Sequence, residues 1–295
     1  MLSDRDWQLL LRRICGDECA PFLGAGACHG ALPLGAEIAR EWSRKYGYPL
    51  DSSSDLTRVA QFLAVEYDAM FPKTEFVRQF IKGATNPDYD SPCEPHSVLA
   101  SLPLSLYMTT NYDSFMYDAL LHHGRPPTRA LCRWNTELRK QECILDSMTP
   151  SVQRPVAYHF HGWWEKPESL VLTEDDYLNF LVAVSQDTDL VPAVVREAMS
   201  GKSLLFIGYG LNDWSFRVLF QGLIRTMESC LRRVSITVQL APVGPDAPAP
   251  LRARVEAYLT NYFRRMDMHV YWGTACEFAG ELSERWQEFR ADDRA

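Results

Sequence analysis

The chain has 295 residues, 46% of them hydrophobic, enough to bury a sizeable core in one large domain or two modest ones. Its 30 basic and 38 acidic residues give a formal charge of −8, which argues against a duplex-wrapping surface, because phosphate binding rewards clustered Lys and Arg. Apolar runs such as Phe180 to Val184 and Leu204 to Ile207 fall far short of the ~20 residues a bilayer needs, so no transmembrane helix is expected.

The opening Met1-Leu2-Ser3-Asp4-Arg5-Asp6-Trp7 carries acidic charges and lacks an apolar signal core, which predicts no export and a cytoplasmic location. Trp7, Leu10, Leu11 and Ile14 recur at helical spacing and predict a helix over 4–14. The short apolar run Ala20 to Leu23 then predicts a strand that ends in Gly24-Ala25-Gly26. A loop containing Pro33 and Gly35 leads into a helix over 36–46, with Ile38, Trp42 and Tyr46 inward and Gly47 placed to end it. Helical patterns over 54–70 and 74–83, parted by Phe71-Pro72, precede a polar loop over 86–95, and this stretch reads as a helical insert at about 52–100.

Leu104 to Thr110 predicts a second buried strand, followed by Asn111-Tyr112-Asp113 and an apolar helix from Ser114 to His123 that Gly124 closes. Further strands are predicted at Val156–His161, Leu170–Leu172 and Ser203–Gly208. A helix over 213–228, a strand at Val234–Leu240, a proline-rich loop at 242–250, a helix over 251–265, a strand at Met268–Trp272 and a helix over 275–290 complete the order. This alternation predicts an α/β, Rossmann-like fold, with a mostly parallel sheet and helices on both faces. With no compositional break and no internal repeat, residues 1–295 are expected to form one domain.

Eight cysteines stand at 15, 19, 28, 93, 132, 143, 230 and 276. Cys15 and Cys19 form a CxxxC pair that no second close pair completes, so no zinc ribbon is expected. Reduced, mostly buried thiols and no bound metal are the expectation.

In an open parallel sheet, ligands sit at the carboxyl ends of the strands, and the unusual residues of this chain collect there. Gly24-Ala25-Gly26-Ala27-Cys28 would let the backbone approach a pyrophosphate. A G-x-G-x-x-G pattern would need glycine at 29, where His29 stands, so this is no dehydrogenase fingerprint, and a tight turn accounts equally for the glycines. Thr109-Thr110-Asn111-Tyr112-Asp113 places two hydroxyls, an amide and a carboxylate after a strand, where helix capping also suits Asp113. His159 and His161 share one strand face, two possible metal ligands without a third. Phe206-Ile207-Gly208-Tyr209-Gly210-Leu211-Asn212-Asp213 is another strand running into a glycine turn, with Asn212 or Asp213 able to cap a helix.

Taken in this order, the segments resemble the sirtuin-like family, in the prokaryotic branch that contains NAD-cleaving defence proteins. Gly24 to Cys28 is similar to its phosphate-binding turn, with Cys28 where Ser is usual, and Pro33 fits the following loop. Thr110-Asn111-Tyr112-Asp113 is similar to the motif in which Asn and Asp flank one apolar residue, with Thr110 where a deacylase has Gln. His161-Gly162 resembles the motif that supplies the family's histidine, so the resemblance favours His161 over His159. Gly208, Tyr209 and the residues through Asn212 and Asp213, with Val270-Tyr271-Trp272-Gly273, complete a pattern over roughly residues 15 to 285.

The resemblance implies an NAD glycohydrolase of antiphage defence, releasing nicotinamide and ADP-ribose. NAD would be its substrate, with no metal. Asn111 would hold the ribose hydroxyls or orient water, and His161, neutral and near its normal pKa, would accept a proton. Asp113 would bond the nicotinamide amide, and Gly24, Ala25, Gly26 and Cys28 would face the pyrophosphate. Thr110, Gly208, Tyr209, Asn212 and Asp213 would complete the cofactor contacts. The missing Gln and the missing paired CxxC module argue against deacylation. An NAD-dependent deacylase and a non-catalytic NAD or ADP-ribose sensor stand as alternatives. Control is expected from homo-oligomerisation or from a separate partner such as a HerA-like ring ATPase or a short Argonaute protein, with no sequence-specific nucleic-acid binding and no membrane.

Overall fold

The structure is a computed structural model and describes residues 2–28, 30–210, 234–240 and 248–292. Helix α1 (Asp4–Cys15) starts at a capping box in which Ser3 and Asp6 satisfy each other's backbone amides, and it buries Trp7, Leu10, Leu11 and Ile14. Strand β1 (Cys19–Leu23) is buried along its whole length. Helix α2 (Gly35–Tyr46) ends at Gly47, whose φ of 67° is the left-handed closing conformation glycine permits.

The stretch before the second strand is helical, with breaks different from those predicted. Helix α3 (Leu56–Glu66) is capped by Asp55, which accepts from Thr57 N and Arg58 N. Helix α4 (Phe71–Phe76) runs on into a π-turn at Val77–Ile81. Pro72 therefore lies in the first turn of a helix, where its missing N–H costs nothing. Helix α5 (Pro95–Ser101), capped by Glu94, occupies the end of the expected polar loop and the residues beyond it.

Strand β2 (Leu106–Thr109) leads into helix α6 (Phe115–His122), then strand β3 (Thr128–Leu131) and short helix α7 (Thr136–Arg139). Strand β4 (Val156–His159) precedes helices α8 (Glu174–Gln186) and α9 (Ala193–Gly201) and strand β5 (Ser203–Ile207). Strand β6 (Ser235–Gln239), helix α10 (Ala249–Arg264), strand β7 (Met268–Trp272) and helix α11 (Ala275–Asp292) follow. Leu170–Leu172, expected as a strand, is a buried extended segment whose Val171 N bonds His161 O, outside the sheet. The helix expected over 213–228 lies outside the described residues, as do Asn212 and Asp213.

Among the described residues, seven parallel strands pair in the order β3-β4-β2-β1-β5-β6-β7, the Rossmann-like arrangement expected. Strands buried on both faces read as continuous apolar runs, and alternation along β1 and β5 divides them between two cores. Phe22 and Phe206 join Tyr158, Phe160 and Phe180 on one face. Leu23, Leu205 and Ile207 join Trp7, Tyr107 and Phe278 on the other. A third cluster around Trp42, Leu63 and Phe76 holds α2, α3 and α4 together.

One cysteine expectation is corrected. Cys93, just before α5, is disulfide-bonded to Cys276 in the first turn of α11, with the Cα atoms 4.9 Å apart. The fold brings together two residues separated by 183 positions, which spacing along the chain could not reveal. Among the described cysteines, Cys15, Cys19, Cys28, Cys132 and Cys143 are free thiols. No helix among the described residues is long and apolar enough to cross a membrane.

Candidate active site

From β1 the chain builds outward through β2, β4 and β3 on one side and through β5, β6 and β7 on the other. The order reverses between β1 and β5, and the crevice at their carboxyl ends is where such sheets bind ligands. The turns that leave these two strands pack directly on each other. Gly24 N donates to Ile207 O at 2.9 Å, Gly26 N to Gly208 O at 2.9 Å, and Ala27 N to Gly24 O at 3.0 Å. Gly208 adopts a φ of +83°, and a Cβ there would collide with Ala27 N and lie 2.6 Å from Gly24 O. The glycines thus serve a contact between two turns, a role distinct from the pyrophosphate approach expected of Gly24 and Gly26. Ala25, at the apex, is exposed.

The end of β2 is tied to the same place. Tyr209 OH donates to Leu23 O at 2.9 Å and lies 2.9 Å from Thr110 Oγ1. Thr109 Oγ1 also donates to Leu23 O and accepts from Asn111 N, which fixes the chain as it leaves the strand. Asn111 is buried, and its side-chain amide donates to Gly24 O at 3.0 Å and to Cys28 Sγ at 3.1 Å. Cys28 donates in turn to Asp113 Oδ2 at 3.2 Å, while Asp113 Oδ1 accepts from Phe115 N at 2.9 Å. Asp113 therefore accepts the first amide of α6 with one oxygen and faces the cluster with the other. Burial, reinforced by the neighbouring Asp113 charge, pushes the Cys28 pKa well up, so it remains a thiol.

Two residues not singled out in the sequence complete the cluster. His96 Nε2 lies 3.9 Å from Cys28 Sγ, and His96 Nδ1 lies 2.7 Å from Glu94 Oε1. Burial opposes the ionisation of Glu94, but His96 and the amides of Ser97 and His96 prevail and hold its pKa below the usual value. A Glu-Pro pair opening a helix was the available signal: Glu94 caps α5 and Pro95 occupies its first turn.

The two histidines at the end of β4 behave differently from each other. His159 Nδ1 lies 3.1 Å from Asn111 O, and burial lowers its pKa to about 4 against the favourable pull of that carbonyl. His161 is buried against Tyr177 and Phe180, with ring centroids 5.2 and 5.0 Å away, and its Nε2 has no hydrogen-bond partner among the described residues. Burial lowers its pKa to about 3, which corrects the expectation of a near-normal value. The structure thus brings Gly24, Gly26, Cys28, Thr110, Asn111, Asp113, Gly208 and Tyr209 together. His161 stands among the rings of Tyr177 and Phe180, its backbone held to Val171.

A family model described as a SIR2-like domain matches residues 105–263. The chain is 27% identical over 208 residues to the NAD(+) hydrolase ThsA of Acinetobacter baumannii, covering 69% of this chain and 39% of that protein. It is 25% identical over 240 residues to the NAD(+) hydrolase ThsA of Bacillus cereus, covering 80% and 46%. A 131-residue stretch is 26% identical to the defense-associated sirtuin 2 of Bacillus subtilis, covering 44% of this chain and 12% of that protein. The chain spans less than half the length of each of these three relatives.

Proposed function

The chain belongs to the SIR2-like domain family, and from that premise we propose that it cleaves the bond between the nicotinamide and ribose of NAD, with water as acceptor. The observation that carries this reading is the joining of Gly24–Cys28, Thr110–Asp113 and Gly208–Tyr209 at the β1/β5 switch point through Asn111 and Tyr209. Residues 1–295 act as one catalytic domain, with the helices over about 52–100 as its elaboration.

Nicotinamide is a cationic leaving group, so the site must stabilise an oxocarbenium-like ribose more than it must supply acid. Asn111 holds the ribose hydroxyls or orients the attacking water. Asp113 bonds the carboxamide of the departing base. His161 accepts a proton from a ribose hydroxyl or from that water. Its burial keeps it neutral at pH 7 but, with the pKa at about 3, leaves it a weak base, so opening of the site must restore its basicity before it takes that proton.

Three features support a latent resting state. The amides of Gly24, Gly26 and Ala27 are spent on protein carbonyls, the Asn111 amide is spent on Gly24 O and Cys28, and His161 Nε2 is shut among aromatic rings. A ligand phosphate reaching Gly26 N has to displace Gly208 O. We propose that assembly into a homo-oligomer, or engagement of a separate partner such as a HerA-like ring ATPase or a short Argonaute protein, opens this arrangement in the cytoplasm during antiphage defence. Such restraint suits an enzyme that would otherwise exhaust its own cell's NAD.

Acyl transfer to this site would consume NAD only when an acylated peptide is present. Incubation with NAD, with and without acylated peptides, and chromatography of the products separates the two readings. Nicotinamide and ADP-ribose formed without peptide support hydrolysis; peptide-dependent nicotinamide release with loss of the acyl group would replace it with deacylation.

A further inference from the structure

Cys28, His96 and Asp113 are all buried, and one ligand atom of each lies within 4.8 Å of the other two. They come from three different parts of the fold: the turn after β1, the first turn of α5 and the loop before α6. A thiol, an imidazole and a carboxylate on separate rigid elements form a donor set for a borderline-soft divalent cation. A tetrahedral ion with bonds of about 2.0–2.3 Å holds its ligand atoms about 3.3–3.6 Å apart. Cys28 Sγ lies 3.2 Å from Asp113 Oδ2 and 3.9 Å from His96 Nε2, so the two Cys28 pairs bracket that separation within a few tenths of an ångström, and the His96–Asp113 pair lies within 4.8 Å.

The outer contacts match the same chemistry. Glu94 Oε1 lies 2.7 Å from His96 Nδ1; with Nδ1–H donating to that carboxylate, the Nε2 lone pair is left for the cluster. A carboxylate behind a histidine is the usual support of a metal-bound imidazole. Phe115 N bonds the second oxygen of Asp113 and fixes that carboxylate. Asn111 Nδ2 donates to Cys28 Sγ at 3.1 Å, a contact that favours the thiolate a metal needs.

We propose that Cys28, His96 and Asp113 bind a thiophilic divalent cation, with zinc as the prototype, and that the bound ion holds the site closed. Binding exchanges the Cys28 proton for the metal and consumes the Asp113 oxygen that otherwise faces the cluster, so affinity rises with pH. The bound ion also fixes the turn after β1 to α5 and to the loop before α6. The blocking consequence rests on the reading of this crevice as the NAD site; the binding itself does not.

The test uses the full chain, stripped with a chelator and titrated with cobalt(II), then with zinc. One equivalent of cobalt is expected to produce a thiolate-to-metal charge-transfer band, which one equivalent of zinc abolishes. Cys28→Ser is expected to remove the band, and His96→Gln and Glu94→Gln to weaken zinc binding roughly ten- to a hundredfold, with circular dichroism reporting the fold of each. Absence of the band in the unmutated protein, or one-to-one zinc binding undiminished in both Cys28→Ser and His96→Gln, would overturn the site. Saturating zinc is expected to suppress NAD cleavage, and unchanged cleavage would overturn the blocking role. If the stripped protein forms the cobalt band yet releases no nicotinamide in any assembly, the cation site stands and the NAD-cleavage reading falls.

Discussion

Replacing Gly208 with alanine probes the contact that draws the two switch-point turns together. Gly208 has a φ of +83°, and its added methyl would collide with Ala27 N and stand 2.6 Å from Gly24 O, both backbone atoms that cannot rotate away. The left-handed conformation costs an alanine about 1–2 kcal/mol. Overpacking against fixed neighbours costs about 1–3 kcal/mol more. The expected loss is therefore about 2–5 kcal/mol, which at about 2–4 °C per kcal/mol lowers Tm by roughly 4–20 °C. Gly210 is the control, because among the described residues a Cβ there would meet nothing within 4 Å. Differential scanning calorimetry of Gly208→Ala beside Gly210→Ala provides the assay. The first should melt well below the parent and the second within about 2 °C of it. Equal melting of the two would refute the contact between the turns.

Other perturbations test other parts of the structure. His161→Leu should abolish NAD cleavage while the fold, read by circular dichroism, survives, because Tyr177 and Phe180 already give the ring an apolar setting; a wild-type rate would remove His161 from the mechanism. His161 and His159 have folded pKa values of about 3 and about 4, below their unfolded value of about 6.5. The unfolded chain therefore takes up protons that the folded chain refuses, and the stability they contribute, complete above about pH 6.5, falls as the pH drops below it. Each histidine steepens the loss by up to about 1.4 kcal/mol per pH unit, so urea unfolding between pH 7 and 5 should show a shallower decline for His161→Leu than for the parent. Lys73 and Asp176 form a buried pair at 2.7 Å, and Lys73→Met should cost about 3 kcal/mol by removing the only cation paired with a carboxylate that keeps just the amides of Leu172 and Thr173 among the described residues; a loss under about 1 kcal/mol in urea unfolding would contradict that.

The parallel sheet was legible because its central strands are short apolar runs that stop at glycine or at Asn-Tyr-Asp, and Met268–Trp272 has the predicted bounds. Strand β3 escaped because four residues, Thr128–Leu131, at the sheet edge are only partly buried and carry no apolar run. Leu170–Leu172 misled because burial alone makes an apolar triplet: Leu170 and Leu172 belong to the cluster of Trp42 and Leu63, and Val171 to the core of Phe22 and Phe180, without joining a ladder. At the site, the motif residues could be read from their positions after strands, but Glu94 and His96 could not. Their partner Cys28 is 68 residues away from His96 and reaches it only through the tertiary fold. The depressed pKa of His161 was equally hidden, since it comes from Tyr177, Phe180 and the surrounding burial.

The most direct measurement follows nicotinamide and ADP-ribose by chromatography after incubating the purified chain with NAD, alone and with any partner that copurifies, beside Asn111→Ala and His161→Ala. Equimolar nicotinamide and ADP-ribose from the unmutated chain in its active assembly, lost in both variants, is the expected result. Wild-type release from both variants, or NAD bound but intact in every assembly, would contradict NAD cleavage at the β1/β5 crevice.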